Sequence, residues 1–231
     1  MIRLICIAVL SSLFLIPQAS TANAETNKWE ELIAESGRVL ADIQQMPDQG
    51  IPADLLRECS AIAVFPSTIS AGFGIGGKYG QGIIMVRDEK SGKWTSPALF
   101  NLFGGSIGWQ IGGQATDFVL LIMNRRSIDG ILQGKFKLGA DASVAAGPVG
   151  RAAEASTDVQ LKGGILSYSR SRGLFAGAKL EGAVIVQNWD ANKELYGKSF
   201  SAREIMLENK AKMPQSADGV LKVLNKYPYK K

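Results

Sequence analysis

Four stretches of this chain set glycines or other small residues into what otherwise reads as β-strand. Phe73, Ile75 and Tyr79 stand among Gly72, Gly74 and Gly76, and Ile107, Trp109 and Ile111 among Ser106, Gly108, Gln110 and Gly112. Leu138, Ala140, Ala142, Val144 and Ala146 alternate with Gly139, Asp141, Ser143, Ala145 and Gly147, and Leu174, Ala176, Ala178 and Leu180 with Phe175, Gly177, Lys179 and Glu181. A period of two is the mark of a strand, because successive side chains point to opposite faces. Glycine weakens a strand: it packs nothing and loses the most backbone freedom on folding. Its repetition asks for a sheet that curls tightly, as in a barrel, or for another element pressed against the backbone. Curvature or helix packing is the simpler cause.

Further strands flank these stretches. Residues 61–65 form an apolar run that Pro66 should stop, and residues 118–123 are wholly apolar, as a buried strand requires. Residues 82–87 and 93–99 flank Asp88-Glu89-Lys90-Ser91-Gly92, and residues 164–170 and 174–186 flank Ser171-Arg172-Gly173; both read as hairpins. Helical signals sit at the two ends. Trp29, Leu32, Ile33, Val39, Leu40 and Ile43 make one stripe over residues 27–45, and Pro52 opens a short helix reaching about Glu58. The polar side of the first helix mixes Glu30, Glu31 and Glu35 with Lys28 and Arg38, so it is expected to dock on the core; membrane-lying helices are richer in Lys and Arg. Residues 190–196 form a helix stopped by Gly197, Ser201 and Glu204 form a capping box, and Ser216 caps a last helix carrying Val220, Leu221 and Leu224. The predicted class is α+β: a strongly curved antiparallel sheet or barrel flanked by N- and C-terminal helices.

Residues 1–24 read as a secretory signal peptide: Arg3, an apolar run over 4–16 too short to span a bilayer, and Ala22-Asn23-Ala24 as the cleavage site. Residues 25–231 are then one domain, expected to be periplasmic or secreted and peripherally membrane-associated. The whole chain carries a net charge of +5, mild basicity that suits anionic lipid. Its two cysteines are Cys6, inside the leader, and Cys59, so no internal disulfide framework exists. It has no histidine. That excludes imidazole triads, Cys-His nucleophile pairs and histidine-ligated zinc. Neither a cofactor nor a metal nor a nucleic-acid partner is expected.

Gly72-Phe73-Gly74-Ile75-Gly76-Gly77 satisfies a dinucleotide-binding pattern, but residues 78–86 continue as strand where that motif needs a helix. Asp141 and Glu181 stand in strand-like alternation and would be needed for two-carboxylate hydrolysis, although nothing pairs them. Cys59 reads as a buried apolar residue. Basic residues gather at turns: Arg125 and Arg126, Lys135 and Lys137, then Arg170 and Arg172 followed at once by Leu174 and Phe175. Cations beside apolar side chains suit a lipid interface, the cations meeting headgroups and the apolar groups entering the lipid. These eight are the candidate lipid-binding residues; the alternative is an ordinary solvated turn.

The chain resembles the SYLF family, also described as the Ysc-type actin-binding family. The resemblance is carried by Ala63-Val64-Phe65-Pro66, the glycines from Gly72 to Gly80, Trp94 with Pro97, Gly104-Gly105-Ser106, Gly108, Gln110 and Gly112. It continues through Asp117 with Val119, Gly139 with Asp141, Ala146-Gly147-Pro148, Gly150, Tyr168-Ser169, Gly173-Leu174-Phe175, Gly177, Glu181-Gly182 and Tyr196-Gly197. These run in family order over residues 52–197. The resemblance implies a non-enzymatic protein that binds phosphoinositide-like or other anionic membrane lipids. In eukaryotic members it also implies association with actin. An envelope protein partner, making the chain a structural or interaction module, is the alternative function.

Overall fold

The long glycine-bearing stretches pair with each other. In a computed structural model describing residues 21–46, 50–150, 164–171 and 173–230, with side chains at 21–27, 73–75 and 106–113 outside the description, β1 (Ala61–Val86) and β2 (Ala98–Ile122) form one antiparallel ribbon. It runs from Ala61 opposite Ile122 to Ile84 opposite Ala98. The segments expected as separate strands on either side of Pro66 are therefore one strand. Proline has no N–H for the ladder, and the strand absorbs it as an irregularity: the register shifts between Phe65 and Thr68, and Ser67 takes φ 46°.

The ribbon doubles back on itself. The Arg87 N–H donates to the Ser60 carbonyl at 2.8 Å, joining its two ends. Between them, a Cβ on Gly80 would stand 2.2 Å from Thr68 Oγ1, and one on Gly82 would stand 2.1 Å from the Val64 carbonyl oxygen. No side chain fits there, so curvature and close approach act together at these two glycines.

The other edge of β2 carries the rest of the sheet. Its late part pairs with β5 (Ile165–Ser171) and its early part with β7 (Val184–Gln187). Beyond them lie β6 (Leu174–Gly177) and β4 (Val144–Ala146) on β5, and β3 (Lys135–Lys137) on β7. The β4–β5 pair is parallel, so the curled sheet is mixed rather than purely antiparallel. The alternating stretch over 138–147 is not one strand: Gly139, at φ 87°, turns the chain between β3 and β4. Gly182, at φ 83°, likewise separates β6 from β7.

Both sheet faces are covered. On one, Ile62, Val64, Ile83, Met85, Leu99, Val119, Leu121 and Tyr168 pack with α1 (Thr21–Gln45), α2 (Ala53–Glu58) and α6 (Asp218–Leu224). On the other, Phe65, Ile84, Phe100, Phe118, Leu120 and Ile122 pack with α3 (Arg125–Ile131) and α5 (Ala202–Met206). Two-sided burial is why residues 61–65 and 118–122 read as unbroken apolar runs.

α1 docks as its stripe predicts: Trp29, Ile33, Val39, Leu40 and Ile43 are buried, while Arg38 bridges Glu31 and Glu35 outside. It is described from Thr21; residues 1–20, most of the segment expected to be a leader, lie outside the described residues. α4 (Trp189–Tyr196) ends on Gly197 at φ 67°, and Ser201 and Glu204 close the expected capping box on α5. Ser216 does not cap α6: it lies in a 3-10 turn over Gln215–Ala217, and its hydroxyl is buried without a partner among the described residues. Cys59 is buried, and burial pushes its thiol up to about 12. Gly72 and its neighbours lie inside β1, where no helix begins.

Candidate functional site

The helical layer stops short of the sheet's full extent. Asn192, fully buried at the centre of α4, accepts from the Leu99 N–H at 2.9 Å and donates to the Leu99 carbonyl at 3.0 Å. This double bond fixes α4 to β2 at the Ile83–Leu99 row, the last row that the helices bury. The next two rows on that face lie outside the helical cover.

Register assigns their members. Across the four strands, Tyr79 lies opposite Phe103, Phe103 opposite Val184, and Val184 opposite Lys137. The parallel row is Gln81, Asn101, Val186 and Lys135. Directly opposed residues share a face, so one continuous surface runs from two aromatic rings to two lysines. Tyr79 is 44% exposed and Phe103 43%; their ring centroids are 5.3 Å apart at 43°. Trp189, at the start of α4, is 56% exposed. It is placed there by Asn188, which caps α4 and donates to Asn101 Oδ1 at 3.1 Å. Lys135 and Lys137 are exposed, with buried Phe136 between them anchoring β3 in the opposite core.

The other sequence candidates fall elsewhere. Arg170 binds Asp117 at 2.8 Å and Asp42 of α1 at 2.6 Å. Burial opposes its charge, but hydrogen bonds to these two carboxylates outweigh it and raise its pKa. Phe175 is buried and stacks on Tyr168, centroids 5.4 Å apart. Leu174 is 76% exposed at the hairpin tip, and Arg172 lies outside the described residues. Arg125 and Arg126 open α3, which Asn124 caps by accepting from the Ser127 N–H, beyond the end of β2 remote from Phe103. The structure thus joins Lys135 and Lys137 to two aromatic residues, Tyr79 and Phe103, that the sequence did not mark as site candidates. The missing signal is register: Tyr79, Phe103, Val184 and Lys137 meet only once the sheet is paired.

The two carboxylates weighed for hydrolysis, and Asp117 in its ion pair with Arg170, have structural partners. Asp141 accepts from the Lys137 backbone N–H at 2.6 Å, Glu181 pairs with Lys179 at 2.7 Å, and Asp117 accepts from Arg170 and from the Ser67 N–H.

Comparison with known proteins adds the lineage. Residues 103–227 match the family model Ysc84, described as Las17-binding protein actin regulator. The chain belongs to the Ysc84 (SYLF) family. The matched region contains Phe103, Lys135, Lys137 and Trp189. Protein YSC84 of Saccharomyces cerevisiae is 34% identical over 180 residues, 77% of this chain and 38% of that protein. LAS seventeen-binding protein 3 of the same species is 34% identical over 180 residues, 77% of this chain and 39% of its own length. SH3 domain-containing YSC84-like protein 1 of Mus musculus is 29% identical over 215 residues, 93% of this chain and 62% of that protein. The chain spans about two fifths of the yeast relatives it matches. By its description, the Ysc84 family is one of binding and regulation rather than catalysis.

Proposed function

We propose that this Ysc84-family chain is a non-catalytic module that rests on an anionic phospholipid surface through the uncovered sheet face. The observation that carries the reading is the row Tyr79–Phe103–Val184–Lys137, exposed aromatics at one end and a cation at the other. Aromatic rings partition into the headgroup region, where an apolar body and a polar tip are both satisfied. Lysine near an anionic surface contributes about 1 kcal/mol, fading beyond a Debye length. The leader read in residues 1–24 would set this contact on the outer side of the membrane it crosses.

A second reading is a protein-binding module. It is favoured by the family description, which names Las17 and actin regulation. The two readings separate in vesicle co-sedimentation of the processed chain. The membrane reading expects sedimentation with phosphatidylserine-containing vesicles, none with pure phosphatidylcholine, and release as salt rises from about 50 to about 500 mM, which shortens the Debye length from about 14 to about 4 Å. Sedimentation with neither vesicle type would remove the membrane reading and leave the protein-binding one.

A further inference from the structure

The C-terminal segment, residues 225–230, lies against the turn over 88–93. The Tyr227 hydroxyl donates to Gln44 Oε1 of α1 at 3.1 Å, and the Lys230 N–H donates to the Arg57 carbonyl at 3.2 Å. Gly92 turns at φ 70°, and a Cβ on it would stand 3.4 Å from Tyr229 Cβ, so segment and turn meet there. Between them opens a cavity of about 620 Å³. Trp94, Tyr227, Pro228 and Tyr229 line it, four rings from two distant stretches of the chain.

Two of these rings are held in place by a cation that does not itself line the cavity. The Arg87 guanidinium is 4.4 Å from the Trp94 centroid and 5.3 Å from the Tyr229 centroid. It is anchored in turn on the carbonyls of Leu56 at 2.8 Å and Arg57 at 3.2 Å. An anchored cation in contact with both rings fixes their spacing, and a wall set in advance need not be ordered when a ligand arrives. The wall also has unspent donors. The Trp94 indole N–H, the Asn225 amide and the Tyr229 hydroxyl, all on lining residues, donate to no group among the described residues. Lys90 and Lys93 on the turn and Lys226 and Lys230 on the segment are exposed, and Glu89 is the one acid among the lining residues. None of these four lysines forms an ion pair among the described residues.

We infer that this cavity is the docking site of a proline-rich segment of a partner protein, with acidic residues at the ends of that segment. A polyproline II helix has no internal hydrogen bonds, so its carbonyls stay free to accept. Channels lined by aromatic rings take such a helix because the rings pack on the prolines and a few donors meet the carbonyls. The helix is stiff before it binds and loses little entropy on docking. Acidic flanks complement the surrounding lysines. The inference rests on the protein-binding reading and gives it a surface. It is separate from the membrane reading, since none of these residues lies in the rows of Tyr79 and Gln81.

The test is fluorescence anisotropy of three labelled peptides titrated with the chain. The first is Glu-Pro-Pro-Leu-Pro-Pro-Leu-Asp, the second has Ser at every Pro, and the third has Lys at both ends. The first should bind about tenfold more tightly than the second, whose backbone must be ordered on docking. It should bind about tenfold more tightly than the third at low salt, and the gap should close at high salt. Tyr229→Ala should weaken the first peptide about tenfold at every salt concentration. Lys90→Glu with Lys93→Glu should weaken it about tenfold at low salt alone. These half-buried and exposed positions keep the test valid if Trp94→Ala fails to fold, and circular dichroism checks each variant. Vesicle sedimentation of Tyr229→Ala should match that of the unaltered chain, so loss of the peptide and loss of the membrane are separate results. Preference for the first peptide over the second, lost in Tyr229→Ala, supports the inference. Equal binding of these two peptides, no binding of the first up to about 1 mM, or binding indifferent to Tyr229→Ala overturns it.

Discussion

Two places in the sheet set a basic side chain and an aromatic one in a single cross-strand row, and they end oppositely. At the β5–β6 hairpin, Arg170 lies opposite Phe175; Asp42 and Asp117 bind the guanidinium, and Tyr168 stacks on the ring. At the far side, Phe103 and Lys137 share a row with Tyr79, and both rings remain exposed. The difference is the helical layer. α1 crosses the first pair and contributes Asp42 to it, whereas α4 is fixed at Leu99 and stops before the second. Whether such a pair meets solvent is decided by the element laid over it, not by its residue types.

The contrast breaks most visibly at Phe175. Phe175→Ala removes a buried, stacked ring and should cost about 3–5 kcal/mol in urea unfolding, leaving vesicle binding of the folded protein unchanged. A loss of binding without a loss of stability would reverse the assignment. Arg170→Met leaves Asp42 and Asp117 without their cation and should cost about 2 kcal/mol, less than for a fully buried pair, since the Arg170 side chain is 18% exposed. On the open face the effects move from stability to binding. Lys135→Glu with Lys137→Glu should weaken attachment to anionic vesicles about thirtyfold at low salt, from roughly 1 kcal/mol for each lysine, with the gap narrowing as salt rises. Phe103→Ser should weaken it about tenfold at every salt concentration, because burial of a ring is not screened. Leu174→Ser should alter attachment less than about twofold, a lone apolar side chain on a tip whose Arg170 is already engaged. A larger loss at Leu174 would move the contact back to the β5–β6 tip.

Local chemistry was legible where its partners are close in sequence. The Ser201–Glu204 capping box, the Gly197 stop and the stripe on α1 each need only neighbours within a few residues, and each forms as expected. Glycine alternation revealed a curved sheet but not which glycines turn. Gly80 and Gly82 lie in a strand pressed against its own first half, while Gly139 and Gly182 take positive φ and end strands. In sequence the two uses look alike. Of the candidate site, the lysines were visible as charges beside a turn. Their aromatic neighbours were not, because four strands drawn from residues 79 to 184 build the row.

The doubled-back ribbon also has a kinetic meaning. Ala61 must find Ile122 before the sheet can close, and only then do both sheet faces exist for the helices to cover. α1 leaves the ribosome early, yet its packing partner α6 comes near the end of the chain, and Gln44 meets Tyr227 at a separation of 183 residues. Non-local pairing of this kind makes folding slow, because loop closure must precede the contacts that reward it. During synthesis the apolar stripe of α1 stays uncovered until almost the whole chain has emerged. That long-lived open state is when the protein is most exposed to aggregation, and when a chaperone or an export machine could hold it unfolded.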